Sequence, residues 1–204
     1  MKITWYGHSC FKVESRDGSV VFDPYAPGKV PGLELPKITA DAVFCSHGHG
    51  DHNYAEGVKL TGNKPGFSVT QMKTFHDGNK GAQRGENLVT AIDAEGMRAV
   101  HLGDLGHPLS MEQIKELGTV DILFIPVGGY YTIDAQDAAM IVSVLSPRVT
   151  IPMHYRGEGF GYDVIDTVDA FVRLAGKVQR FDTNEIEITP DTSAMTALLR
   201  CPTK

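Results

Sequence analysis

The stretch "VFCSHGHGDHN", residues 43–53, sets three histidines and one aspartate within six positions, directly behind a short apolar run. Four such titratable groups, buried without a cation to bind them, would carry a heavy desolvation cost. His47 and His49 stand two apart. In extended backbone, residues i and i+2 point to the same side, so both imidazoles can reach one ion. Gly48 and Gly50 permit the tight backbone that brings Asp51 and His52 round to a neighbouring position. Asp51 is also placed to open a short helix and cap its free N–H groups. Imidazole suits Zn, Fe and similar cations, and a carboxylate adds oxygen character suited to Mn. A solvent-exposed His-rich tract is the competing reading, and the apolar "AVF" leading into the loop argues against it.

Outward from this stretch, three more apolar strands run straight into a metal-capable side chain: "MKTFH" into His76, "AVHLGD" into Asp104 and "TIPMH" into His154. Strand ends that share one sheet edge deliver their next residues to one place, so residues distant in sequence are expected to converge on one cleft. Strand-like segments "MKITWY", "CFKVES" and "SVVFDPY" open the chain as a meander. A 14-residue loop, "PYAPGKVPGLELPK", follows with four of the eleven prolines, and a loop that long is usually functional or mobile. "LVTAIDAEGMRAVHLGD" reads as a hairpin turning at Ala94–Gly96. The second half alternates: helices around "SMEQIKEL", "DAQDAAMIVSVL" and "YDVIDTVDAFVRLA" precede the strands "DILFIPV", "RVTIPMH" and "KVQRFD", with "EIEIT" after them. Meander plus alternation predicts an α/β (α+β) fold of mixed sheets flanked by helices, as one domain over residues 1–204.

Composition is that of a globular chain, with 42% hydrophobic and 22% charged residues. A net charge of −6 argues against broad binding of nucleic-acid backbone, which needs clustered Lys and Arg. Cys10, Cys45 and Cys201 are odd in number and unpatterned, so no disulfide framework is implied. The start has no apolar signal-peptide segment, and no apolar run approaches the ~20 residues that span a bilayer. A cytoplasmic protein without membrane contact is the expectation.

His-x-His-x-Asp-His after an apolar strand resembles the signature of the metallo-β-lactamase superfamily, and the resemblance extends over nearly the whole chain. Asp23 in "VVFDP", His76 in "TFHDG", Gly103–Asp104 and His154 in "IPMHY" match further family positions in the expected order. "WYGHSCF", "HLGDLGH", "IPVGGYYTIDAQDA" and "IPMHY" look like the branch of L-ascorbate-6-phosphate lactonase-like hydrolases. The resemblance implies a four-layer αββα sandwich, with the metal site at one edge. It implies two divalent ions, Zn²⁺ first with Mn²⁺ or Fe²⁺ as alternatives. His47, His49 and His76 would hold the first ion, Asp51, His52 and His154 the second, and Asp104 would bridge them. Two such ions share a hydroxide and bring the pKa of bound water toward ~7. Asp51 would act as the catalytic group that orients it and accepts its proton. Asp23 would brace the signature loop rather than bind metal.

Other residues carry weaker signals. His8 could line the cleft as substrate contact or acid, and His107, three residues after Asp104, could face it; His101 reads as packed. Lys80 and Arg84 follow His76 on a glycine-rich loop and could grip an anionic group. Tyr130, Tyr131 and Tyr155 flank ligand-bearing strand ends, where a phenol could donate to an oxyanion. The expected function is a hydrolase acting on a small ester, lactone or phosphodiester, with a small and anionic substrate. The alternatives are a nuclease, disfavoured by the acidic balance, and a metal-binding module without turnover. A flavodiiron redox protein would carry Glu at position 49, and secreted antibiotic hydrolysis would need a signal. The Pro/Gly loop and the terminal "MTALLR" are candidate surfaces for a homo-oligomer.

Overall fold

Alternation at the start of the chain becomes an antiparallel meander of β1 (Lys2–Trp5), β2 (Phe11–Ser15) and β3 (Gly18–Phe22), in register with Phe11 opposite Phe22. The computed structural model describes residues 1–203. β5 (Ala42–Phe44) joins β3 in parallel, and β13 (Glu185–Glu187) pairs with β1, completing a five-stranded sheet ordered β13-β1-β2-β3-β5. The second sheet has seven strands. The antiparallel β7 (Ser68–Phe75), β8 (Glu86–Ala94) and β9 (Met97–His101) lead into the parallel β10 (Ile122–Pro126), β11 (Val149–Met153), β14 (Met195–Leu198) and β12 (Val178–Arg180). The β8–β9 hairpin turns through Glu95 and Gly96, at φ +53° and +73°. Positive φ at both central positions is the turn geometry whose twist matches its strands.

The two sheets face each other across the main core. Phe11 and Phe22 of the first sheet meet Phe124 of the second at ring-centroid distances of 4.5 and 6.3 Å. Every residue of β10 and β11 is buried. Their near-continuous apolar sequences are what parallel strands covered on both faces require. The first sheet covers one face, and α2 (Ala135–Leu145) with α3 (Asp169–Leu174) the other; α2 turns Ala135, Ala138, Ile141 and Leu145 into the core. Asp134 caps α2 by accepting from Gln136 N and Asp137 N. α1 (Met111–Leu117) opens with a reciprocal Ser110–Gln113 cap. Among the described residues, no helix is long and apolar enough to cross a membrane.

Three expectations need correction. The helix expected after Asp51 is only a 3-10 turn at Ala55–Gly57. That segment spends its hydrogen bonds on the Pro/Gly loop, through Ala26 N→Gly50 O and Tyr54 N→Pro24 O, both at 2.8 Å. The outer face of the first sheet is accordingly covered by this loop and by the small parallel pair β4 (Ile38–Ala40) and β6 (Val58–Leu60), which the sequence reading missed. Tyr25, Val30, Leu33, Ile38 and Val58 form an apolar cluster there with Val21, whose neighbours Val20 and Phe22 point to the main core. The long loop is thus a packed layer. The terminal "MTALLR" supplies a sheet strand: β14 lies between β11 and β12, its Ala197 and Leu198 buried. The third helix covers six residues, because Tyr162 and its neighbours are drawn toward the cleft described next.

Candidate metal centre

β7, β9 and β11 run in one direction within the second sheet, and β1, β3 and β5 share a direction within the first. Each is followed within three residues by a site residue: His8, Asp23, His47, His76, Asp104 and His154. Three of these, His8, Asp23 and His154, have φ of +50°, +44° and +53°. Non-glycine residues in the left-handed region are uncommon and cluster where surrounding structure fixes a functional geometry. Gly103 (φ +59°) makes the fourth such corner, and a Cβ there would collide with Asn87 Oδ1 and the Ser46 side chain.

Asp104 Oδ2 is the centre of the arrangement. It lies 3.2 Å from His52 Nε2, 3.2 Å from His154 Nε2, 3.5 Å from His76 Nε2 and 3.9 Å from His47 Nε2. Yet His47 Nε2 and His52 Nε2, two of the nitrogens that face it, and Asp104 Oδ1 are buried without a hydrogen bond. The His52–Asp104 approach is short, but it lacks hydrogen-bond geometry. Groups aimed at a common point behave so; groups aimed at each other do not. Donors bound at ~2.0–2.2 Å around one ion sit about 3–3.5 Å apart, so this spacing fits a metal. Three such groups are resolved: His47, His49 and His76; Asp51, His52 and His154 together with His8; and His47, His52 and Asp104, which links the other two, the donor atoms of each within 4.8 Å of one another.

A ring of hydrogen bonds fixes these side chains. Asp23 accepts from Ser46 N and Ser46 Oγ, both at 2.7 Å, and from His52 Nδ1, also at 2.7 Å. His76 Nδ1 donates to Asp104 O at 3.0 Å. Asn87 accepts from Asp104 N at 2.9 Å while its amide donates to Thr74 Oγ1 and Leu102 O. Such partners fix ring orientation and leave the other nitrogen toward the centre. Neither Ser46 nor Asn87 was identified from sequence, since a lone Ser or Asn carries no pattern.

Electrostatics follow from burial and close charges. Burial pushes the His47 imidazole down to about 3 and that of His8 to about 4, and it lowers His76 as well. These rings are neutral near pH 7, the form that binds metal. Burial would depress His52 too, but the carboxylates of Asp104 and Asp23 outweigh it and hold the ring well above its ordinary value. Burial would raise Asp104; His154 and His52 instead hold it well below the usual carboxylate range.

The centre opens into a cavity of about 280 Å³ lined by His49, Asp51, His76, Arg84, Asp104, Tyr131, His154 and Tyr162. Arg84 lies 5.5 Å over the Tyr131 ring. Tyr162 donates to Asp51 Oδ2 at 3.1 Å and to Lys29 O. No apolar strand leads into Tyr162, so sequence reading had no signal for it. Larger hollows exist, such as one of about 610 Å³ beside the β8–β9 turn, but its charged groups are already paired, Arg98 with Asp93 and Glu95 with the amino terminus.

Five expected cleft residues, His8, Lys80, His107, Tyr130 and Tyr155, do not line this cavity. His107 accepts from Phe75 N at 3.2 Å and sits 2.8 Å from Pro108 O, in a separate hollow shared with Lys80. Tyr155 is buried against Trp5 and Phe160 as a packing residue. Tyr130 is exposed and packs edge-on against Tyr131. His101 is packed between Phe22 and Phe124, as read from sequence; its Nε2 donates to Ser9 O and its Nδ1 accepts from Gly103 N, so it also props the turn carrying Asp104.

Residues 2–154 match the model of the "Beta-lactamase superfamily domain" family. A UPF0173 metal-dependent hydrolase of Carboxydothermus hydrogenoformans is 30% identical, with 76% of this chain and 84% of that protein covered. One from Archaeoglobus fulgidus is 26% identical over 95% of this chain and 98% of its own length. A Thermotoga maritima crystal structure of the metallo-beta-lactamase superfamily superposes with a TM-score of 0.78 at 32% identity, covering 97% of both chains. With this fold and this His/Asp cluster, the relatives place the chain in the metallo-beta-lactamase superfamily, in its UPF0173 family of metal-dependent hydrolases.

Proposed function

We propose that the chain hydrolyses a small anionic ester, lactone or phosphodiester at a dinuclear metal centre. The observation that carries this is the position of Asp104 Oδ2, within 3.2–3.9 Å of imidazoles from both donor groups, where one carboxylate can serve two ions. In this reading His47, His49 and His76 hold the first ion and Asp51, His52 and His154 the second. Zn²⁺ fits the imidazole-rich set, with Mn²⁺ and Fe²⁺ accommodated by the carboxylates. Bound divalent ions would lower the pKa of water and polarise the bond to be cut.

The chain's own groups supply the remainder. Asp51 is ionised, since burial would raise its carboxyl but the imidazoles of His8 and His52 outweigh it and lower it. Its Oδ2, steadied by the Tyr162 hydroxyl, is placed to receive a proton from attacking water. Among the described residues Arg84 is the one Lys or Arg lining the cavity, and its guanidinium lies over the Tyr131 ring. A carboxylate or phosphate on the substrate would dock there, opposite the carboxylates of Asp51 and Asp104. About 280 Å³ admits a small molecule, which supports this reading over a nuclease. The resemblance to lactonase-like hydrolases supports a lactone among the candidate bonds.

The test is metal analysis of purified protein followed by turnover of phosphodiester, lactone and thioester panels, with and without EDTA. Two equivalents of metal and chelator-sensitive turnover of one small anionic class are expected. Full activity in EDTA would sink the proposal, and cleavage of RNA but no small substrate would select the nuclease.

A further inference from the structure

His8 and His101 are the buried imidazoles outside the ligand set above, and only His101 has hydrogen-bond partners for its ring. The main chain at His8 is firmly held: His8 O accepts from Trp5 Nε1 at 3.0 Å and from His154 N at 3.4 Å, and Cys10 N closes the turn onto Gly7 O at 2.9 Å. With φ at +50° the ring is driven inward, and 1% of the residue is exposed. It lies 4.2 Å from the His154 ring and 5.0 Å from that of His52. Both nitrogens are buried without a hydrogen bond, and the nearest carboxylate oxygen, Asp51 Oδ2, stands 3.5 Å from Nε2.

Three ordinary roles can be compared with this environment. A bracing histidine in this protein has a close oxygen partner: His101 has Ser9 O at 2.9 Å, His52 has Asp23 at 2.7 Å and His76 has Asp104 O at 3.0 Å. His8 has none. A substrate-contacting histidine must reach the cavity, but His8 does not line it. A packing role would be met by an apolar ring without two unsatisfied nitrogens. What His8 does have is a donor atom within 4.8 Å of those of Asp51, His52 and His154.

We propose that His8 is a ligand of the second metal ion, an inference that rests on the metal-centre reading above. The two sites then differ in kind. The first offers His47, His49, His76 and Asp104, four protein donors, the number zinc commonly takes. The second offers His8, Asp51, His52, His154 and Asp104, five donors, which suits an ion of higher coordination number such as Fe²⁺ or Mn²⁺. A mixed-metal centre follows, with the richer site on the His8 side.

The experiment strips the full chain with chelator and titrates Co²⁺ into wild type, His8→Asn and His8→Asp, following the visible spectrum and the stoichiometry by equilibrium dialysis. Asn and Asp both tolerate the left-handed backbone at this position, and only Asp supplies a strong donor. Wild type should bind two equivalents. His8→Asn should keep the first and lose roughly 10–100-fold in affinity for the second, and His8→Asp should recover part of that loss with a spectrum shifted by exchange of nitrogen for oxygen. Circular dichroism checks the fold; if His8→Asn is unfolded, the spectrum of His8→Asp decides alone. Two equivalents bound by His8→Asn with wild-type affinity and spectrum, or an unshifted spectrum in folded His8→Asp, would overturn the proposal. Wild type that binds no Co²⁺ at all would overturn the metal-centre reading instead.

Discussion

Asp23 Oδ2 stands 2.7 Å from His52 Nδ1, joining two residues 29 apart in sequence that follow the parallel strands β3 and β5 at the same end of the sheet. The same carboxylate takes both hydrogen-bond donors of Ser46, so one side chain fixes where β5 ends and which way His52 faces. Asp23→Ala should leave Ser46 N without its partner and let the His52 ring turn. A fall in metal affinity of roughly 10–100-fold is expected, read by calorimetric titration of Zn²⁺. Wild-type affinity in a folded Asp23→Ala variant would show that the brace does not set the ligand.

Arg84 is held on its loop by Asp77, whose carboxylate accepts from the backbone of Asn79, Gly81, Gln83 and Arg84 at 2.8–3.0 Å. If the guanidinium binds a substrate anion, Arg84→Met should raise KM about 10–100-fold with kcat little changed, the range of a lost charge-assisted contact. Arg84→Lys should recover little of it, because an ammonium cannot reproduce the planar fork. Asp77→Ala should give a weaker version of the same defect with faster amide exchange across residues 78–85. An unchanged KM in Arg84→Met would remove Arg84 from substrate binding.

The convergence of His47, His76, Asp104 and His154 was legible because each follows an apolar run whose strand ends at the same sheet edge. A one-dimensional pattern encodes that directly. His8 was visible as a motif but not as a member of a donor group, since its role depends on a left-handed turn and on where His154 lies. His107 misled because proximity in sequence to Asp104 says nothing of direction: Gly106 N donates to Phe75 O, and the His107 ring goes to Phe75 N instead. Tyr155 misled in a similar way, as a residue next to a site residue that faces the aromatic core. The helix after Asp51 failed because long-range hydrogen bonds to residues 24–26 took the backbone that local propensity would have used. β14 was overlooked because partners on both sides, β11 and β12, decide its place.

Asp41 supplies a pH test away from the metal centre. Its carboxylate accepts from Ser19 N at 2.7 Å, Ser19 Oγ at 2.8 Å, Thr61 Oγ1 and Asn63 Nδ2, tying β3 to the segment after β6. The Thr61 and Ser19 hydrogen bonds lower it to about 2 from an ordinary 3.8. A folded-state value below the unfolded one means that this contribution to stability is complete above about pH 4 and is lost as pH falls through about 2. Thermal melts between pH 5 and 2 should therefore show a smaller loss in Asp41→Asn than in wild type, starting from a lower Tm at pH 5. Parallel curves for the two proteins would show that these hydrogen bonds do not depend on ionisation.

Gly103 tests whether the turn that presents Asp104 is a packing constraint or only a connection. At φ +59° any L side chain is disfavoured, and the Cβ of an alanine would collide with Asn87 Oδ1 and with Ser46, the two groups that fix Asp104 N and the end of β5. Left-handed backbone costs a non-glycine residue about 1–2 kcal/mol, and overpacking a tight site adds about 1–3. For a chain of this length that sum corresponds to a fall in Tm of roughly 5–15 °C. Gly103→Ala should also weaken metal binding in the folded fraction, since relief of the collision must move Asp104, Asn87 or Ser46. A Tm loss with unchanged metal affinity would show that the strain is absorbed without moving Asp104, and would free the carboxylate's position from this turn.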